Sequence, residues 1–175
     1  LGGARVVQYR AKEGRASVTE ASMLLALTRE FGVPLIINDD VDLAVAVGAD
    51  GIHVGRDDLA LTDVRHQLGP TAIIGVSCYD DLARAQIAMN QGADYVAFGR
   101  FFPSRTKPNA PCASLETLQK ARKTLMVPVV AIGGITEENG GLLLDAGADL
   151  LAVIEGVFGE DDPESAARRF RALWD

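Results

Sequence analysis

Gly48-Ala49-Asp50 runs directly into Gly51-Ile52-His53-Val54-Gly55, and the same opening returns twice. It stands as Gly92-Ala93-Asp94 before Tyr95-Val96-Ala97-Phe98-Gly99, and as Gly147-Ala148-Asp149 before Leu150-Leu151-Ala152-Val153. A fourth copy, Gly3-Ala4-Arg5, precedes Val6-Val7-Gln8-Tyr9-Arg10, with Arg in the place of Asp. In each copy Gly ends a helix and the chain turns into an apolar strand. The copies stand 45, 44 and 55 residues apart, so the signature marks every second strand–helix unit. A period of two units fits a barrel built from quarters better than an open sheet, and the expected fold is an α/β protein of the (β/α)8 TIM-barrel type.

Working outward, short β-branched runs predict strands over 5–10, 34–39, 51–55, 72–78, 95–100, 128–134 and 150–157. Helix-period segments lie between them, at 17–31, 41–47, 80–91, 114–125 and 139–146, with a last helix near 163–173. The first opens on a capping box, Ser17 with Glu20. Alternating apolar strands and helices imply a parallel sheet covered by helices, in one domain over 1–175. The count is seven strands rather than eight, and Gly2-Gly3 reads as the end of a helix whose body is absent. The expectation is therefore a barrel lacking its first β/α unit. Seven strands leave two open edges, which favours association, including with a second copy of the chain.

The chain has 175 residues, 48% of them apolar and 23% charged, and a net charge of −7. That balance excludes a disordered chain and argues against nucleic acid and anionic membranes as partners. No apolar run is long enough to span a bilayer. Two cysteines, Cys78 and Cys112, form neither a disulfide framework nor a metal cluster, which points to the cytoplasm.

In such a barrel chemistry sits at the C-terminal ends of the strands. Gln8, Arg10 and Lys12 alternate onto one face there, and two cations with an amide suit a phosphate or pyrophosphate. The next strand ends Asn38-Asp39-Asp40 and the one after it leads to Asp57-Asp58. Acids on adjacent strand ends can share one Mg²⁺, although Asp39, Asp40 or Asp58 could equally cap a helix. His53 lies inside a strand and reads as a packed core histidine, and Cys78 as a small buried hydrophobe. The loop after the fifth strand, 101–111, carries three prolines, hydroxyls and two cations, and has the character of a lid. Gly133-Gly134 lets backbone N–H groups approach an anion, and the loop near Gly156 does the same beside it.

Taken in order, Gln8-Tyr9-Arg10-Ala11-Lys12, Ile37-Asn38-Asp39-Asp40, Gly51-Ile52-His53-Val54-Gly55, Gly75-Val76-Ser77, Ser104-Arg105-Thr106-Lys107-Pro108 and Ala131-Ile132-Gly133-Gly134-Ile135-Thr136 fall on successive strand ends. In that order the chain resembles the thiamine phosphate synthase family over essentially its whole length. The resemblance implies a Mg²⁺-dependent transferase that joins a pyrimidine diphosphate to a thiazole phosphate and releases pyrophosphate. It implies that Gln8, Arg10, Lys12 and Asn38 bind the pyrimidine diphosphate and that Asp39 and Asp58 ligate Mg²⁺. Ser77 and Lys107 would hold the diphosphate or the pyrimidine. Ser104, Arg105, Thr106, Gly134, Ile154 and Glu155 would surround the thiazole phosphate. Among these, Lys107, Ser77, Arg10 and Lys12 are the groups expected to act on the departing pyrophosphate.

Three positions depart from the family's usual pattern. Ser104 stands where Thr is common, Tyr79 where His is common, and Glu155 where Ser is common. A carboxylate beside a phosphate repels it unless only the Glu155 backbone N–H is used, which is the expectation here. The rival readings are a non-catalytic or regulatory relative that binds a thiazole or thiamine phosphate, a thiazole tautomerase-like barrel, and a sugar-phosphate isomerase or epimerase. The last needs a positioned acid–base pair, and the strand ends offer none.

Overall fold

The computed structural model describes residues 2–11, 16–55, 60–103 and 111–174. Seven strands form one sheet, ordered as they occur in the chain: β1 (Val7–Tyr9), β2 (Leu35–Asn38), β3 (Gly51–Val54), β4 (Ile73–Tyr79), β5 (Tyr95–Gly99), β6 (Val129–Ile132) and β7 (Leu150–Ala152). Every pairing is parallel. Between them run α1 (Val18–Glu30), α2 (Val41–Val47), α3 (Leu61–Leu68), α4 (Leu82–Asn90), α5 (Leu115–Thr124) and α6 (Glu137–Asp145). After β7 come α7 (Glu155–Phe158) and α8 (Pro163–Arg171). The strand count is the seven expected, and β1 and β7 are the sheet's two edges among the described residues. Among the described residues no helix is long and apolar enough to cross a membrane.

Local chemistry sets the helix starts. Ser17, Asp40, Asp81, Ser114 and Asp162 each accept a first-turn backbone N–H on their side chains. Each such cap contributes about 1 kcal/mol. The predicted box at the first helix forms in altered shape. Ser17 Oγ accepts from Glu20 N at 3.3 Å, but the Tyr9 phenol stands in the return path. It donates to Glu20 Oε2 at 2.7 Å and accepts from Ser17 N at 3.3 Å. The carboxylate beside it holds the Tyr9 phenol above its ordinary range. This knot ties the end of β1 to the start of α1.

Alternation divides the sheet into two faces. Leu35, Ile37, Ile52, Val54, Ile74, Val76, Val96, Phe98, Val129 and Ala131 pack with Leu25, Val64, Ala85, Leu118 and Leu143 of the helices in one buried cluster. The other face holds Ile36, Gly51, His53, Gly75, Ser77 and Tyr95. A flat sheet would separate β1 from β5 by about 19 Å at the usual strand spacing. Gln8 of β1 nevertheless comes close enough to the Tyr95 phenol of β5 to influence its ionisation, so the sheet curls round this second face.

The repeated Asp shows its purpose at the N-terminal edge of the sheet. Asp50, Asp94 and Asp149 each accept the backbone N–H of a residue on the preceding strand, Leu35, Ile74 and Val129, all at 2.8 Å. The backbone N–H of each Asp donates to the carbonyl of that same residue, at 3.1, 2.8 and 2.8 Å. Each clamp thus joins one pair of strands: β2 to β3, β4 to β5, β6 to β7.

One boundary is corrected. The strand expected over 150–157 ends at Ala152, and Glu155 begins a short helix. Ile154 leaves the extended region at φ −116°, ψ −75°. Gly156 then sits where a Cβ would lie 2.9 Å from the Ile135 carbonyl, a closeness that apolar alternation in the sequence does not reveal.

Candidate active site

Because all seven strands are parallel and adjacent in order, their C-terminal ends share one rim. Gln8 and Arg10 stand at the end of β1, Asn38 and Asp39 at β2, His53 within β3 and Ser77 near the end of β4. Gly134 follows β6, and Ile154 and Glu155 follow β7. Lys12, Asp58, Ser104, Arg105, Thr106 and Lys107 lie outside the described residues.

At β2 the competition between two acids is resolved by geometry. Asp40 Oδ1 accepts from Leu43 N at 2.9 Å, so Asp40 is the helix cap. Asp39 is held in the left-handed region at φ 63°, and its Oδ2 accepts from Asn38 Nδ2 at 2.7 Å. A non-glycine residue in that region costs of order 1 kcal/mol and persists where its surroundings enforce it. Here the enforcement includes Asp39 N donating to the His53 carbonyl at 2.9 Å. Tyr79, at the end of β4, is the other non-glycine residue with positive φ among the described residues, at 57°.

On the inner face of the sheet, reaching the rim at Ser77, lies a hydrogen-bonded cluster that sequence reading does not find. His53 is buried, as expected of a core histidine, but both ring nitrogens are engaged. Nδ1 lies 2.9 Å from the Tyr95 phenol and Nε2 lies 2.9 Å from Ser77 Oγ. Burial raises the Tyr95 phenol well above its ordinary range, with the Gln8 contact pulling the other way. Arg84 of α4 holds the same region from outside, donating Nε to the Ser77 carbonyl and Nη2 to the Gly55 carbonyl, each at 2.9 Å. Asp80 accepts from Ser114 N at 3.0 Å and from the Thr117 hydroxyl at 2.5 Å, which fixes the β4 end against the start of α5. Tyr95 had a sequence signal in retrospect: a hydroxyl at the head of an apolar strand, with Gly75 on the neighbouring strand. Arg84 had none, since only the fold brings it to two strand ends.

The paired glycines after β6 have a packing duty. Gly133 and Gly134 carry φ of 100° and 66°. A Cβ on Gly133 would stand 2.3 Å from Arg100 Cβ, and one on Gly134 would stand 2.3 Å from the Pro103 carbonyl. They seat the segment that follows β5, and Asn139 secures them by donating to the Gly134 carbonyl at 3.1 Å. The Glu155 side chain lies along its own helix toward Gly159: its Cγ and Cδ lie 3.4 Å from where a Gly159 Cβ would be. Cys78 is fully buried and its thiol is pushed up to about 12 by that burial, so it is no nucleophile.

Residues 1–157 match the model of the thiamine monophosphate synthase family. The chain belongs to this family. A thiamine-phosphate synthase from Methylococcus capsulatus is 51% identical over 176 residues, spanning 99% of this chain and 79% of the relative. Among solved structures, a thiamine phosphate pyrophosphorylase from Pyrococcus furiosus superposes with a TM-score of 0.86 at 36% identity, covering 98% of this chain and 83% of that one. A 3-hexulose-6-phosphate synthase superposes at TM-score 0.74 over 97% of this chain and 86% of its own, but at 19% identity it shares the fold alone.

Proposed function

We propose that this chain is a transferase that condenses hydroxymethylpyrimidine diphosphate with hydroxyethylthiazole phosphate, giving thiamine phosphate and pyrophosphate. One observation carries the reading: the 51% identity to a thiamine-phosphate synthase that extends over 99% of the chain. In the reaction the bond from the pyrimidine methylene carbon to the diphosphate oxygen breaks, and the electron pair leaves with pyrophosphate. The thiazole nitrogen supplies the pair for the new carbon–nitrogen bond. An amino-substituted pyrimidine spreads the positive charge that develops, so the chemistry calls for no covalent nucleophile.

The site asks for groups that orient two phosphates and meet growing negative charge. On this reading Gln8, Arg10, Lys12 and Asn38 hold the pyrimidine diphosphate, and Ser77 and Lys107 contact it where the bond breaks. Ser104, Arg105, Thr106 and Gly134 receive the thiazole phosphate, with the backbone of Ile154 and Glu155. The course of the Glu155 side chain along its own helix toward Gly159 supports use of its N–H alone.

The rim also suits a hard divalent cation. Asp39 offers carboxylate oxygen at a strand end, held by the Asn38 amide, while the helix cap falls to Asp40. Among the described residues no group of three or more His, Cys, Asp or Glu converges, which a Mg²⁺ site of one or two carboxylates does not require. Asp39 and Asp58 would hold the ion, which when bound supplies positive charge for the leaving group.

The pairing within the sheet bears on the fold as well. The Asp clamps join strands two by two, and β1, where Arg5 replaces the clamping Asp, stands outside the three pairs. A quarter-barrel repeat of this kind supports reading the sheet as seven strands of a (β/α)8 barrel. Two free cysteines, Cys78 and Cys112, support the cytoplasm as its compartment.

The test is pyrophosphate release with both substrates, with and without Mg²⁺, and with thiamine phosphate measured in parallel. Equal yields of the two products, lost without Mg²⁺, are expected. Tight binding of the thiazole phosphate with no pyrophosphate would overturn the reading in favour of a non-catalytic relative.

A further inference from the structure

His53, Gly75 and Tyr95 form one register row across β3, β4 and β5: His53 pairs with Gly75, and Gly75 with Tyr95. The outer two are about 10 Å apart along the sheet at ordinary strand spacing. Their rings nonetheless stack, with centroids 5.5 Å apart and planes at 27°. Gly75 makes this possible. A Cβ there would lie 1.9 Å from Tyr95 Cζ, so the phenol ring occupies the space where a side chain on the middle strand would stand. The ring is thus laid over the glycine and brings its hydroxyl to His53 Nδ1 at 2.9 Å.

The direction of the hydrogen bonds follows from what each group can give. Gln8 acts on the Tyr95 phenol in the direction that favours the phenolate, against the larger and opposing effect of burial. The buried phenol keeps its proton at neutral pH. A phenol that keeps its proton can give it to Nδ1, 2.9 Å away, when His53 is the Nε2–H tautomer. The other nitrogen then carries the hydrogen, so Nε2–H donates to Ser77 Oγ across 2.9 Å. A serine oxygen that accepts from a buried donor turns its own hydrogen the other way. Arg84 holds the backbone at this position by donating to the Ser77 carbonyl.

We infer that Tyr95 and His53 are positioning residues that fix Ser77 as a one-directional hydrogen-bond donor, aimed at an anionic oxygen of the bound diphosphate. The inference rests on the function proposed above. Without the relay Ser77 can accept as readily as donate, and part of its population faces the ligand with the wrong end.

The test uses the whole chain labelled with ¹⁵N-histidine, which contains only His53 and His66. Without substrates, His53 is expected as the Nε2–H tautomer, with a hydrogen-bonded Nδ1 whose signal moves when Tyr95→Phe removes the donor. With both substrates, Tyr95→Phe is expected to lower kcat about tenfold, the value of one neutral hydrogen bond, with KM for the thiazole phosphate unchanged. His53→Gln, whose amide can still donate toward Ser77, should recover more activity than His53→Leu at matched stability. An Nδ1–H tautomer, an unchanged Tyr95→Phe kcat, or equal activity of the Gln and Leu variants would each overturn the relay. The tautomer is read on the ligand-free chain, so failure of the proposed reaction leaves that arm standing and the two failures are distinguishable.

Discussion

The two ends of the sheet are built on opposite plans. At the N-terminal end one residue type makes the same contact three times, as Asp50, Asp94 and Asp149 each grip a neighbouring strand through both backbone and carboxylate. Two of them draw a guanidinium from the helix that leads into the clamped strand, Arg65 of α3 to Asp94 at 2.7 Å and Arg122 of α5 to Asp149 at 3.4 Å. At the C-terminal end the strands present different groups: an amide and a cation on β1, Asn and Asp on β2, an imidazole on β3, a hydroxyl on β4. Repetition holds the frame, and divergence supplies the chemistry. The separation means that a change at one end should register in stability and at the other in turnover, and that is where the comparison can be broken.

The largest effect belongs to the rim. Lys107→Ala should lose two or more decades of pyrophosphate release, a barrier change of about 2.7 kcal/mol or more, while thermal unfolding stays put. Near-normal turnover would remove Lys107 from the reaction. Next comes the opposite end. Asp94→Ala leaves Ile74 N–H and Arg65 without their carboxylate, and unfolding by denaturant should show a loss of about 1–3 kcal/mol. Its kcat and both KM values should match the parent; a change in kcat at matched folded fraction would show that the two ends are coupled.

Smaller effects sharpen the boundary. Arg84→Lys keeps the charge but cannot span both the Ser77 and Gly55 carbonyls with a planar fork. Turnover should fall by about threefold to tenfold, the value of a single mispositioned hydrogen bond, with stability changed by less than about 1 kcal/mol. The reverse pattern, stability lost with turnover kept, would make Arg84 a member of the frame. The smallest effect is expected of Glu155→Ser. Because the Glu155 side chain already lies toward Gly159, affinity for the thiazole phosphate should change by no more than about threefold. A large gain, read by calorimetry, would mean that the carboxylate intrudes on the phosphate.

The same contrast explains what the sequence reveals. The clamped end was legible because its signal is local and repeated: Gly-Ala-Asp before an apolar run recurs, and six of the seven strand starts fall within one residue of their expected places. The core faces follow from alternation alone. The rim was legible only where residue types are unusual for a strand end, as at Asn38-Asp39 and Gln8–Arg10, or where the family resemblance supplied the role. Choosing between Asp39 and Asp40 as the helix cap needed backbone angles. His53 reads as core and is core, but its partners come from β4 and β5, 24 and 42 residues away, and no local pattern encodes such contacts. Gly133-Gly134 showed the converse: glycines read as room for a ligand also make room for the protein's own Arg100–Pro103 segment.

The clamps also set the grain of the molecule. Within β2/β3, β4/β5 and β6/β7 the sheet is riveted at its base by side chains as well as by the ladder, whereas β3/β4 and β5/β6 have no such Asp clamp among the described residues. The connections through α3 and α5 are accordingly the seams of the fold. Chain breaks, insertions or exchange of modules placed there divide the protein between intact two-stranded blocks, while a cut through α2, α4 or α6 divides a block against its own fastening.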